Sequence, residues 1–136
     1  MGAGQQRRVF FDKHFKIMVD GAIFGGLSQY GFPGYLDSHQ GMWMAPPQFP
    51  SAWAETFWKA GYQIHAHTNG DLSADMLIDF LRYLQDVKPR FDHRFVLEHF
   101  AFTTEEQNRQ WTALGGLVST NPYYHYILRS DIFSNR

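Results

Sequence analysis

The stretch Tyr62-Gln63-Ile64-His65-Ala66-His67-Thr68-Asn69-Gly70-Asp71-Leu72-Ser73-Ala74 decides the fold. Tyr62 to His67 reads as a strand. Asp71 or Ser73 then caps a longer helix that runs to about Val87. Leu77, Phe80, Leu81 and Leu84 give that helix an apolar stripe, and Lys88-Pro89 ends it. Downstream, His93 to His99 predicts another strand, with Thr103-x-x-Glu106 as a capping box opening the next helix. Trp111 and Leu114 are the apolar positions of that helix, and Gly115-Gly116 closes it. Leu117-Val118-Ser119-Thr120 follows as a short strand. Asn121-Pro122 breaks it, and Tyr123-Tyr124-His125-Tyr126 is expected to be an aromatic loop.

Upstream, Ser51 to Ala60 reads as a short helix with Ser51 as its cap and Trp53, Phe57 and Ala60 on one face. Gly25 to Pro50 is a long loop rich in glycine, proline and aromatic residues, where Pro33-Gly34, Pro46-Pro47 and Pro50 forbid a long helix. The first ordered element is expected within Arg8 to Phe24. There Phe15, Ile17 and Val19 face one way and Lys16, Met18 and Asp20 the other, before the turn signal Asp20-Gly21. Strands that alternate with helices through short connections argue for an α/β fold with a parallel sheet and right-handed crossovers.

Composition narrows the field. A chain of 136 residues supports one domain with a real core. With 44% hydrophobic residues and a net charge of −1 it is neither disordered nor basic enough to suggest nucleic acid as a partner. It contains no cysteine, which excludes disulfides, thiolate metal sites and a cysteine nucleophile. No apolar run approaches the ~20 residues of a membrane helix, and no signal-peptide pattern opens the chain, so no membrane partner and a cytoplasmic location are expected. Thirteen Phe, seven Tyr and four Trp, with seven His, suit either a large core or a ring-lined cavity or interface.

In parallel α/β folds the chemistry gathers at the carboxyl ends of the strands. The polar residues there are Lys16 and Asp20, then His65 and His67, then Glu98 and His99, then Ser119, Thr120 and Asn121. His67 and His99 are about one strand–helix unit apart and are expected at matching positions on neighbouring strands, where two imidazoles can meet one ion. Either one alone reads more often as a hydrogen-bonded structural residue, and it is the two at equivalent positions that bring a metal to even standing. Lys16 reads as an edge residue reaching water or as a buried functional amine, and Phe15 and Ile17 favour burial. Asp71 reads most simply as a helix cap, and His93 with Arg94 as the charged start of a strand. Ser119 lacks the glycine elbow of a serine hydrolase.

Three tracts occur in order: Phe15-Lys16-Ile17-Met18-Val19-Asp20-Gly21, Ile64-His65-Ala66-His67-Thr68-Asn69-Gly70-Asp71, and Asp92-His93-Arg94-Phe95-Val96-Leu97-Glu98-His99. Together they resemble the amidohydrolase superfamily, in particular its family-3 branch of N-substituted-formamide deformylase-like metal-dependent hydrolases, from about Phe15 to Asp131. The resemblance implies a partial (β/α)8 TIM barrel, strands four to seven, with residues 1–136 a fragment of one catalytic barrel domain. It implies hydrolysis of carbon–nitrogen bonds other than peptide bonds, by metal-activated water attacking an amide-like carbonyl.

The same resemblance implies Lys16, His67 and His99 as metal ligands, with Zn²⁺ as the divalent metal and a CO₂-derived carbamate on Lys16. His65 is the competing imidazole on the same strand face. Asp20, His65, Asp71, Glu98, Tyr123 and Tyr124 are the expected substrate-contacting or supporting residues. The family's first-strand His-x-His has no counterpart upstream of Lys16. Its eighth-strand aspartate, the general base, has none downstream; Asp131 lies too near the preceding loop. A small amide-like substrate, and self-association or pairing with the rest of a barrel, are the expected partnerships.

Two other readings stand beside this one. The chain could be a non-catalytic α/β module whose aromatic surface binds a partner protein. It could also be a metal-independent lyase or isomerase that uses Lys16 as a free amine.

Overall fold

The computed structural model describes residues 13–45, 51–124 and 126, with backbone alone at 51–53. Its elements are β1 (His14–Met18), a 3₁₀ turn (Ile23–Gly25), α1 (Ser51–Lys59), β2 (Gln63–Thr68), α2 (Asp71–Val87), β3 (Val96–His99), α3 (Glu105–Ala113) and β4 (Leu117–Thr120). The strands form one parallel sheet in the order β1-β2-β3-β4. A doubly wound sheet reverses its order at a switch point, whereas this one runs in chain order. Among the described residues, no helix is long and apolar enough to cross a membrane.

The register sorts the side chains into two faces. Phe15 pairs with Ile64, Ile17 with Ala66 and Ala66 with Leu97, so these residues share one face. That face packs on Ala54 and Trp58 of α1, on Leu77, Ile78, Phe80, Leu81 and Leu84 of α2, and on Trp111 of α3, all in one buried core. Both core tryptophans satisfy their indole N–H groups, Trp58 on the Lys88 carbonyl at 2.8 Å and Trp111 on the Leu117 carbonyl at 2.9 Å. The opposite face carries Lys16, His65, His67 and Glu98 and is open or half-covered.

The expected facing of Phe15, Ile17 and Val19 is observed, but several local expectations are corrected. The first strand is only His14–Met18, and residues 8–12 lie outside the described part. The third strand begins at Val96 rather than His93. His93 is buried instead, accepting the Phe95 N–H on Nδ1 and meeting the Leu114 carbonyl through Nε2, while Arg94 has φ 51°, which no strand tolerates. The capping box of α3 is Thr104 with Gln107, one residue later than expected.

Helix α2 starts on Gly70 with no side-chain cap, so neither Asp71 nor Ser73 caps it. Pro122 to Tyr124 is helical rather than a loop: Asn121 Oδ1 accepts the Tyr123 N–H at 3.1 Å, and Pro122 suits the first helical position. The expectations for Ser51 as a cap, for the Trp53 side chain, for Pro46, Pro47 and Pro50, and for Asp131 lie outside what is described.

The described segment after β1, residues 19–45, is irregular apart from the 3₁₀ turn but anchored. Its Gln29 backbone packs against Gly70, where a Cβ would collide with the Gln29 carbonyl. Glycine is therefore required there by close approach. Gly70→Ala should force the Gln29 segment off the start of α2 and destabilise the fold by about 1–3 kcal/mol. Urea unfolding checks this, and an unchanged midpoint would show that the segment is not held there.

Candidate functional site at the carboxyl edge of the sheet

The site is set by two neighbouring strand ends. In the register His67 stands beside Glu98, and His99 stands beside Thr68. The expectation that His67 and His99 occupy matching positions is thus off by one residue. A regular pleat would send His99 to the helix-covered face with Thr68. Instead β3 ends in left-handed backbone, with φ 74° at His99 and 46° at Phe100. The two imidazoles meet, with ring centroids 4.3 Å apart and edge to face. A non-glycine residue held there costs about 1–3 kcal/mol, and such strain concentrates at functional sites.

A second group lies on the same face. Lys16 forms an ion pair with Glu98 Oε2, and the other oxygen of Glu98 meets His65 Nδ1 at 2.9 Å. The Lys16 side chain is 50% exposed, so the burial favoured by its apolar neighbours does not occur. Burial alone would raise the Glu98 carboxyl, but its hydrogen bonds with Lys16 and His65 outweigh that and hold it below the usual carboxylate range. His65 Nε2 is enclosed without a hydrogen-bond partner among the described residues, and the His14 ring lies 5.4 Å away.

The aromatic residues close one side. Tyr124 lies 6.1 Å from His99, and Phe24 lies 5.9 Å from Tyr124 and 6.5 Å from Tyr123. The segment after β1 therefore touches the segment after β4 across the ends of the two middle strands. Asp20 and Asp71 support this surface from behind rather than line it, and the charge of Asp20 is felt by both imidazoles. Asp20 is fully buried and accepts the backbone N–H groups of Gln29, Asn69 and Gly70 at 2.9–3.0 Å. Asp71 sits in the first turn of α2 and accepts the Gly31 N–H at 2.9 Å. Both carboxylates hold loops together.

Two residues passed over in the sequence matter here. Asn69 donates through its side-chain amide to His67 Nε2 at 3.0 Å. An amide two residues past a strand-end histidine was the available signal. Phe24 was grouped with the first strand, and nothing in its local sequence marks it as a neighbour of Tyr124.

The site fits a metal in part. His67 and His99 bring two imidazole rings together from adjacent strands, and neutral imidazoles suit zinc and similar divalent ions. Among the described residues, no three His, Cys, Asp or Glu side chains group to hold a metal ion. Lys16 is the third ligand that the resemblance implies. Its amine is engaged by Glu98.

Comparison with known proteins bears on the fold. No protein-family model matches the chain, and no curated protein matches it. Among solved structures, it is similar to an uncharacterized metal-dependent hydrolase from Pyrococcus furiosus, with TM-score 0.68 and 19% identity over 80% of this chain and 22% of that one. It is also similar to one from Pyrococcus horikoshii OT3, with TM-score 0.66 and 19% identity over 80% of this chain and 21% of that one. The chain spans about a fifth of the length of these structures. At this identity the likeness establishes a shared α/β fold.

The electrostatics set a pH dependence. Burial, then His99, holds the His67 pKa below its ordinary 6.5, and burial, then Lys16, does the same to His99. The unfolded chain therefore binds more protons than the folded chain just below pH 6.5, and stability falls as pH drops through that range. Glu98, whose folded pKa is also depressed, extends the loss into the carboxylate range. His39, hydrogen-bonded to the Gly26 carbonyl and then to Asp37, is shifted upward and works the other way. Urea midpoints between pH 7.5 and 5.5 should decline, and the decline should be shallower in a His67→Gln/His99→Gln double variant, which keeps His39. Identical slopes in both proteins would show that these imidazoles do not titrate against burial.

Proposed function

We propose that the chain carries about half of a (β/α)8 barrel of a metal-dependent hydrolase, acting on carbon–nitrogen bonds other than peptide bonds in a small amide-like substrate. The observation that carries this reading is the left-handed turn at His99, which brings its imidazole to His67 at the carboxyl edge of a parallel sheet running in chain order. The likeness to solved metal-dependent hydrolases supports it, as does the position of the pair where parallel α/β folds place their chemistry.

In this reading His67 and His99 hold a divalent metal, zinc being best suited to neutral imidazoles. Lys16, once parted from Glu98 and rid of its ammonium proton, would add CO₂ as a carbamate, losing one more proton, and would supply an anionic ligand. Such a metal polarises a carbonyl and lowers the pKa of water toward about 7. The chain's own residues do the rest. The Lys16 ammonium, while paired, places a positive charge beside the imidazoles and favours their neutral, ligand-ready form. His65 donates to Glu98 and fixes the carboxylate that Lys16 faces. Tyr123 and Tyr124, with Phe24 against them, wall the site and limit water.

Cobalt or zinc titration tests the ligands. His67→Ala and His99→Ala should each weaken binding at least about a hundredfold. Equal affinity in wild type and both variants would remove the metal reading.

The open face of the sheet and its two edge strands also take part. Leu117 and Val118 of β4 are 47% and 41% exposed, and an edge strand presents unpaired backbone groups. A second copy, or the rest of a barrel, covers these in the same reading. Light scattering at micromolar concentration should therefore give a mass above the 15.9 kDa of one chain. A monomer throughout would sink the self-association.

A further inference from the structure

Asn69 lies in the turn between β2 and α2 and is 1% exposed. Its backbone is held at both ends. The N–H donates to Asp20 Oδ1 at 2.9 Å, and the carbonyl accepts the Phe102 N–H at 2.9 Å. The side chain is therefore delivered to one place. There Nδ2 donates to the Gly21 carbonyl at 3.0 Å and meets His67 Nε2 at 3.0 Å.

These two contacts determine where the proton on His67 sits. The Gly21 carbonyl can only accept, so the Asn69 amide cannot be turned end for end without setting oxygen against oxygen. Both Nδ2 hydrogens are thereby used, one on Gly21 and one on His67. His67 Nε2 must then be the nitrogen with the lone pair, and the ring proton is on Nδ1. The other end of the amide, Asn69 Oδ1, is buried without a hydrogen-bond partner among the described residues. Such an arrangement is costly for a residue that only fills a turn, since a buried unsatisfied acceptor destabilises.

We propose that Asn69 is a positioning residue: it fixes His67 as the Nδ1–H tautomer and occupies that imidazole's one lone pair, so a divalent metal captures His67 only by displacing the Asn69 amide. Metal capture at His99 then precedes capture at His67, because no described contact occupies the His99 ring in the same way. This inference rests on His67 being a ligand, as proposed above, but its first test does not use metal.

In ¹⁵N-labelled, metal-free protein at pH 8, long-range ¹H–¹⁵N correlations report which ring nitrogen carries the proton, and His67→Gln assigns the signals. Wild type should show His67 protonated on Nδ1. Asn69→Asp, at the cost of setting one carboxylate oxygen against the Gly21 carbonyl, should move the proton to Nε2, which then donates to the new carboxylate. Asn69→Ala, which keeps the backbone contacts of the turn, should lose the fixed preference. A wild-type proton on Nε2, or a tautomer unchanged in both variants, would overturn the proposal.

Cobalt titration reads the second half. Asn69→Ala should bind about tenfold more tightly than wild type, the worth of one hydrogen bond no longer displaced. Equal or weaker affinity would overturn the competition. A wrong tautomer combined with metal bound at both histidines sinks this inference alone. Metal that ignores both His67 and His99 sinks the hydrolase reading, and with it the competition.

Discussion

The buried carboxylate of Asp20 is the constraint on which the site depends. Taking a carboxylate out of water costs several kcal/mol even after relaxation. Here three backbone N–H groups, from Gln29, Asn69 and Gly70, converge on its two oxygens. Three charge-assisted hydrogen bonds of this kind offset that cost. Gly70 also begins α2, whose N-terminus favours a negative charge nearby. The net energy is small but the geometric consequence is large. The end of β1, the start of α2 and the long segment after β1 are tied to a single point.

Everything at the edge follows from that tie. With Asn69 clamped through its own N–H, its side chain reaches His67, and Gly21 is held where its carbonyl can orient the amide. With Gln29 clamped, the segment after β1 is held at the start of α2, and that segment begins with the 3₁₀ turn carrying Phe24 toward Tyr124. His99 arrives from the next strand by a different device, local backbone strain. The strain is tolerable because His99 ends a paired strand and the residues that follow it are fixed. Phe100 N–H bonds to the Thr68 carbonyl, and Phe102 N–H bonds to the Asn69 carbonyl. The clamped turn after β2 therefore also anchors the strained turn after β3.

Much of the fold was legible because it rests on periodicity. The apolar stripe of α2, the alternation of β1 and the glycine stops gave the element order, and strand–helix alternation gave a parallel sheet. What failed was local. The α3 cap moved by one residue because Thr104 with Gln107 satisfies the same reciprocal bonds as the expected pair. The third strand lost its first half because the His93 imidazole found partners in the α3–β4 turn, a contact no window of sequence contains. At the site, the nearness of His67 and His99 was legible and its cause was not. Spacing predicted matched positions, whereas the register is shifted and a left-handed residue corrects it. Asp20 and Asp71 were recognised as important, but their part is to bind backbone, which appears only when distant loops are brought together.

The polar face of the sheet shows what kind of partner it lacks. Its charges are already balanced, since Lys16 is paired with Glu98 and Glu98 with His65, so no outside counter-ion is required to cover it. On this face and in the turn beside it, the two enclosed groups without a partner among the described residues, His65 Nε2 and Asn69 Oδ1, are of one kind, apart from the hydroxyls of Tyr30, Thr68 and Ser73 elsewhere. His65 donates from Nδ1 to Glu98, so its enclosed Nε2 is a lone pair without a donor. Asn69 Oδ1 is likewise an acceptor without a donor. A surface made to pack against another apolar surface would leave neither, because a buried acceptor left alone costs about 1–3 kcal/mol. A surface made to receive an anion would present spare N–H groups instead. What such groups accept is a hydrogen bond, so the donor that satisfies them has to reach them from a neighbouring segment or from solvent.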